Sequence, residues 1–173
     1  MYTKANLFGH PIHPMLVAFP VASYVGTLVG FAVYAANGHQ FWLNLAIGLA
    51  VVGVCSAVLA ALFGAVDLAL GVARGSAARA TGIAHASVNV AALGLFLAVV
   101  ASYESHWNGP ATSATLGLAL SAAGAALTVA AGALGWRLVQ TFHVGVRLTP
   151  SQARDDAAVQ STGRILHLRR RSA

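Results

Sequence analysis

The tetrapeptide "NGHQ", Asn37 to Gln40, interrupts the first uncharged stretch of the chain, and its reading decides how many times the chain crosses a membrane. Between Lys4 and Asp67 there is no Asp, Glu, Lys or Arg. A hydrocarbon core about 30 Å thick takes roughly 20 apolar residues of helix. The stretch is therefore long enough for two spans, with the tetrapeptide as the polar connection between them. Working outward, a second uncharged stretch runs from Arg79 to Glu104 and a third from Glu104 to Arg137, each holding one more span. The expected spans are residues 14–36, 41–70, 84–103 and 113–139.

Composition agrees. Of the 173 residues 58% are hydrophobic and 8% charged, and the mean hydropathy is +0.74, a balance that a water-soluble domain cannot keep on its surface. The dominance of Leu, Ala, Val and Gly without period-two alternation argues against a β-barrel. The expected fold class is all-α: an integral membrane four-helix bundle of antiparallel up-down topology, occupying residues 1–148. A basic cytoplasmic tail, 149–173, follows it and is read as mobile or lying on the membrane surface. The first span is too long, and its basic segment of one lysine too weak, for a cleaved signal peptide. Cys55 is the only cysteine and lies inside the second span, so no disulfide forms within the chain.

Four spans place both termini and the 71–83 connection on one side, and the 37–40 and 104–112 connections on the other. The first side receives Lys4, Arg74, Arg79, Arg137, Arg147, Arg154, Arg164, Arg169, Arg170 and Arg171; the second receives no Lys or Arg and one acid, Glu104. By the positive-inside rule the first side is cytoplasmic, and the expected location is a cell membrane of bacterial inner-membrane type. The pI of 10.5 then reflects juxtamembrane arginines facing anionic lipid headgroups. Nucleic acid is not an expected partner, because the terminal "RILHLRRRSA" has no interleaved aromatics and belongs to no recognisable module.

This topology gathers ionisable residues at one membrane level. His10 and His13 precede the first span, Asp67 closes the second, His85 opens the third and His143 follows the fourth. His10 and His13, three apart, are expected on one face of a first helical turn, where proline is tolerated. The positive end of a helix disfavours imidazolium and leaves a ring nitrogen free for metal. His85 is read the same way, with Asn89 one turn on as an outer partner. Asp67 offers a hard oxygen ligand or an acceptor that orients a histidine N–H. Singly, each histidine is an ordinary polar anchor, and Asp67 has Arg74 or Arg79 to pair with. Together at one interface they point to a shared site. His39, Glu104 and His106, on the other side, are read as solvated loop residues, with a second site as the alternative.

Four segments, "HPIHPMLVAFPVA" (10–22), "GAVDLALG" (64–71), "HASVN" (85–89) and "TFHVGVRL" (141–148), together resemble the domain-of-unknown-function family 2231, predicted four-helix membrane proteins. The resemblance covers about residues 7–148. Related domains occur fused to Rieske iron–sulfur or c-type cytochrome modules, so the resemblance implies a redox association and a redox partner protein. This chain has neither the cysteines for an iron–sulfur cluster nor a C-x-x-C-H haem attachment, so a non-covalent cofactor would have to carry the electrons.

The expected function is that of a membrane redox or electron-transfer protein with a histidine-ligated cofactor at the cytoplasmic end. A b-type haem takes two imidazoles from different helices, and His13, His85 and His143 are the candidates. The alternative is a Cu, Fe or Zn ion, bound or transported, on His10, His13, Asp67, His85 and His143. A structural membrane partner without a cofactor is the third reading. Small residues (Ala22, Gly26 and Gly30; Gly48, Gly53 and Gly64; Gly117, Gly124 and Gly132) suit close helix packing, association between copies, or room for a flat macrocycle. Pro20 is expected to kink the first span. No P-loop, dinucleotide fingerprint or zinc-protease helix occurs, so no enzyme class is assigned.

Overall fold

The computed structural model describes residues 4–8, 10–146, 148–155 and 157–159. A two-residue hairpin, β1 (Asn6–Leu7) and β2 (His10–Pro11), leads into α1 (Ile12–Leu16), α2 (Ala18–Asn37), α3 (Gln40–Gly71), α4 (Ala77–Tyr103), a 3₁₀ turn (Glu104–His106) and α5 (Thr115–Gln140). Four helical segments are long and apolar enough to cross a membrane: Ile12–Asn37, Gln40–Gly71, Ala77–His106 and Thr115–Gln140. Phe19, Leu62, Val90, Val129 and Trp136 are exposed on the outside of the bundle, as a lipid-facing surface requires. Arg147 and residues 160–173, with Arg164, Arg169, Arg170 and Arg171, lie outside the described residues. Thr149 and Gln152 form a capping box, each side chain accepting the other's backbone N–H (3.3 and 2.9 Å), and residues 150–155 and 157–159 are helical.

The tetrapeptide at 37–40 is the connection expected. Gly38 adopts φ 68°, its N–H reaching Tyr34 O at 2.8 Å, and Asn37 Oδ1 accepts the His39 N–H at 2.9 Å. A left-handed residue just past a helix end is the position at which glycine costs least.

The helix that carries the third expected span, 84–103, already starts at Ala77. Arg79, taken as a boundary because of its charge, lies in the first turn of α4, where Ser76 Oγ caps its N–H at 3.1 Å. Its guanidinium turns back to donate to Leu68 O (2.8 Å) and Val72 O (3.3 Å), carbonyls at the end of α3. A cation here satisfies orphan acceptors and opposes the negative end of the helix. His85 consequently stands two turns inside α4, beyond reach of the end charge assigned to it from sequence.

The first span is divided at Val17, between α1 and α2. Pro20 supplies no N–H for Leu16 O and its ring crowds that carbonyl, so the discontinuity falls on the turn before the proline.

Contacts order the helices. Along α1 and α2, His13, Tyr24, Gly26 and Gly30 meet Gly64, Gly53, Leu49 and Ala46 of α3 in reverse sequence order; along α4, His85 and Phe96 meet Gly135 and Gly124 of α5, also reversed. The helices of each pair therefore run antiparallel. Three of the glycines that suggested room for a macrocycle are covered by rings of this chain: Tyr24 fills the space over Gly53, Phe31 that over Gly117 and Phe96 that over Gly124. Gly132 faces open space instead. Buried Thr27 and Ser121 are satisfied by carbonyls one turn back, at 2.9 and 2.6 Å.

Candidate functional site

His13, on α1, and His85, on α4, come together with ring centroids 6.2 Å apart and planes at 87°. Both rings are held in one tautomer by neighbouring helices. His13 Nδ1 lies 2.8 Å from Ala60 O, and His85 Nδ1 lies 2.8 Å from Ala131 O. A carbonyl only accepts, so each Nδ1 carries a proton and each Nε2 of the neutral ring presents a lone pair.

The local sequence explains why these helix carbonyls are reachable. A helical C=O points toward the residue four positions on, whose side chain ordinarily shields its second lone pair. Four positions after Ala60 is Gly64, and four after Ala131 is Gly135. A Cβ on Gly64 would stand 2.9 Å from His13 Nδ1, and one on Gly135 would stand 3.2 Å from His85 Cε1. Each glycine thus opens the carbonyl to an imidazole. Ala60, Ala131 and Gly135 had no assigned role in the sequence reading, and Gly64 was read there only as one of the small residues suited to packing or to a macrocycle; their signal is a glycine four residues beyond the accepting carbonyl.

Asn89 fixes the second ring further. Its Nδ2 donates to His85 O at 2.9 Å, which sets the orientation of the amide, and the same Nδ2 stands 3.1 Å from His85 Nε2. That contact is favourable only if Nε2 is the acceptor, in agreement with a protonated Nδ1. Among the described residues no group hydrogen-bonds His13 Nε2.

The other residues singled out from sequence stand elsewhere. His10 is exposed in β2, opposite Leu7, and does not share a helical turn with His13. Pro11, extended at φ −66° and ψ 125°, starts α1 only at Ile12. Asp67 is buried, and its Oδ1 accepts the backbone N–H groups of Lys4 (2.7 Å) and Ala5 (2.9 Å). Ala5 O in turn accepts the Ile12 N–H at 3.1 Å. The carboxylate therefore anchors the segment leading into α1, and among the described residues no ion pair joins it to Arg74 or Arg79. His143 occupies the left-handed position after α5, at φ 50°, with Val144 N–H closing on Leu138 O at 3.0 Å. The chain thus turns back on the end of α5 through a left-handed histidine, a conformation that glycine adopts more readily.

Among the described residues no three or more His, Cys, Asp and Glu are grouped so as to hold a metal ion. The structure brings together His13, His85 and Asn89, and does not join His10, Asp67 and His143 to them in one ligand group. His39 precedes α3 and His106 packs against Tyr103 at a centroid distance of 6.0 Å, at the other end of the bundle from the histidine pair.

A family model described as "Predicted membrane protein (DUF2231)" matches residues 9–148. No curated protein and no solved structure matches the chain.

Proposed function

The chain belongs to the DUF2231 family of predicted membrane proteins, and on that premise we propose that it is a membrane electron-transfer protein in which His13 and His85 hold one b-type haem. The observation that carries this reading is the imidazole pair: two rings from different helices, each with Nδ1–H bound to a backbone carbonyl, which leaves Nε2 as the nitrogen available to a metal. A carbonyl on the far nitrogen orients a ligating histidine and raises its basicity. With their centroids 6.2 Å apart, the two rings are near enough that both could hold one metal atom between them.

The number of donors favours haem over a bare ion. Haem iron takes two protein ligands, whereas a Cu, Fe or Zn site is usually built from three or four, and the described residues supply no such group. When bound, haem would supply one-electron exchange. This chain's own part is to hold the rings: Ala60 O and Ala131 O fix their tautomer, and Gly64 and Gly135 admit them. Asn89 must give up Nε2 of His85 when a metal takes it.

The visible spectrum of detergent-purified protein titrated with haem tests the proposal. A Soret band with sharp reduced α and β bands is the expected result. Colourless protein carrying stoichiometric Cu, Fe or Zn by elemental analysis would move the site to a non-haem ion; failure to take up any of them would end the cofactor reading.

The arginine asymmetry further supports a cytoplasmic position for this end of the bundle and for both termini, in an up-down arrangement. Single cysteines placed at Asn37 and Ser172 in a Cys55→Ser background are expected to label from opposite faces of oriented vesicles. Labelling from one face would refute the orientation.

A further inference from the structure

The contacts on the bundle axis repeat. His13 meets His85, Tyr24 stacks on Phe96 with centroids 3.6 Å apart and planes at 2°, and Phe31 meets Tyr103 at 4.7 Å. In each pair, position n meets position n + 72. A residue that touches its own counterpart marks a two-fold axis, the isologous contact of a symmetric dimer.

Further matches along the spans fall at this offset or one residue short of it. Along α2 and α4 two further pairs of buried positions lie at the same offset, Pro20 with Ala92 and Thr27 with Val99, whereas Ser23 and Gly30 are buried and their counterparts Leu95 and Ser102 are not. Along α3 and α5 buried positions coincide at an offset of 71: Ala46 with Gly117, Ala50 with Ser121, Gly53 with Gly124, Ala60 with Ala131. Contacts within the two halves are equivalent as well. His13 bonds Ala60 O over Gly64 just as His85 bonds Ala131 O over Gly135. Tyr24 lies on Gly53 as Phe96 lies on Gly124.

The repeat fails at one place beside the site. Asn89, four residues after His85, closes Nε2 of that ring, while the equivalent residue four after His13 is Val17, which has no donor to offer. We infer that the bundle consists of two copies of one helical hairpin, that its ligand site lies where their equivalent histidines meet, and that Asn89 makes that site asymmetric, with His13 Nε2 open and His85 Nε2 closed. Haem as the ligand rests on the function proposed above; the repeat and the asymmetry do not.

A metal centre held by both rings would need Nε2 of His13, which is open, and Nε2 of His85, which the Asn89 amide closes, so position 89 would set affinity without touching the metal. Asn and Val are close in size, which allows the two copies to be exchanged at this one position. Asn89→Val opens the second ring and should tighten haem binding roughly fivefold, while Val17→Asn closes the first and should weaken it by a similar factor, the worth of one neutral hydrogen bond.

Imidazole ¹⁵N spectra of the full-length protein without ligand give an independent reading. Wild type should show two Nδ1–H rings, one Nε2 hydrogen-bonded and one free. Val17→Asn should convert the free one and Asn89→Val the bonded one. These shifts without haem uptake by any variant would retain the two-hairpin site and overturn the haem proposal. Haem uptake by wild type with neither substitution altering affinity would overturn the role given to Asn89. Equal Nε2 signals in wild type, or a His13 ring unmoved by Val17→Asn, would overturn the asymmetric repeat itself.

Discussion

Loaded with haem and reduced, His13→Ala and His85→Ala should each lose the α and β bands almost completely, while His39→Ala and His106→Ala keep them at wild-type intensity. The difference follows from donor count. With two protein ligands, removal of either leaves the iron with one, and no third histidine is grouped with the pair among the described residues. The substitutions should spare the fold. Each ring is only partly buried and contributes one hydrogen bond to a carbonyl that also serves its own helix, an interaction worth about 1 kcal/mol. The shared background is a protein that still crosses the membrane through four long apolar helices. Circular dichroism alongside the spectra separates loss of ligand from loss of fold. His143→Ala is an informative companion: the left-handed backbone at φ 50° gives this residue a structural part in ending α5, so its replacement should affect the helix end and leave the bands in place. Full bands in both His13→Ala and His85→Ala would remove these residues from the site.

The bundle was legible in the sequence because lipid imposes a rule on length and charge: a span is a long apolar run, and its ends carry the polar residues. The same rule did not register that the helix carrying the third span begins seven residues before it, at Ala77. Arg79 is a charge inside a helix, tolerated because its long side chain reaches back to the carbonyls of α3, and a count of charges cannot register where a guanidinium turns. Of the residues assigned to one membrane level, the structure brings the rings of His13 and His85 together. Level alone does not determine contact, however. Asp67 and His143 had local tasks, a pair of backbone amides and a helix ending, that depend on exact backbone position. The two-fold repeat was less visible still. Lipid-facing positions accept any apolar residue, so the copies share few identities; their common pattern is the register of buried positions, which emerges only after burial is known.

Packing supplies the largest effect on stability, and Gly117 is where it should appear. A glycine inside a helix is worth up to about 1 kcal/mol less than alanine, so replacement by Ala starts with a gain. At Gly132, where an added Cβ meets nothing within 4 Å, that gain should survive and raise the unfolding temperature in detergent. At Gly117 the added Cβ would overlap the Phe31 ring. Phe31 is fully buried and packed at 63° on Tyr103, whose hydroxyl donates to Ser113 O at 2.7 Å and accepts the Gly117 N–H at 2.8 Å. The ring cannot retreat without disturbing that tyrosine and both of its bonds. Overpacking of this kind costs roughly 1–3 kcal/mol, occasionally more, which exceeds the helical gain, so Gly117→Ala should unfold below wild type and Gly117→Val lower still. Ala46, the counterpart of Gly117 in the first hairpin, already carries a methyl group because Gly30 stands opposite it, with room for no Cβ of its own: one would come within 2.9 Å of that methyl. The two equivalent positions are thus filled differently, Ala46 by a methyl group against Gly30 of its own hairpin and Gly117 by the ring of Phe31 from the other hairpin. A double-mutant cycle reads this directly, since shortening the ring relieves the clash. Phe31→Leu should cost less in the Gly117→Ala background than in wild type. Additive losses, or a Gly117→Ala protein as stable as Gly132→Ala, would mean that the ring and the glycine are not in contact.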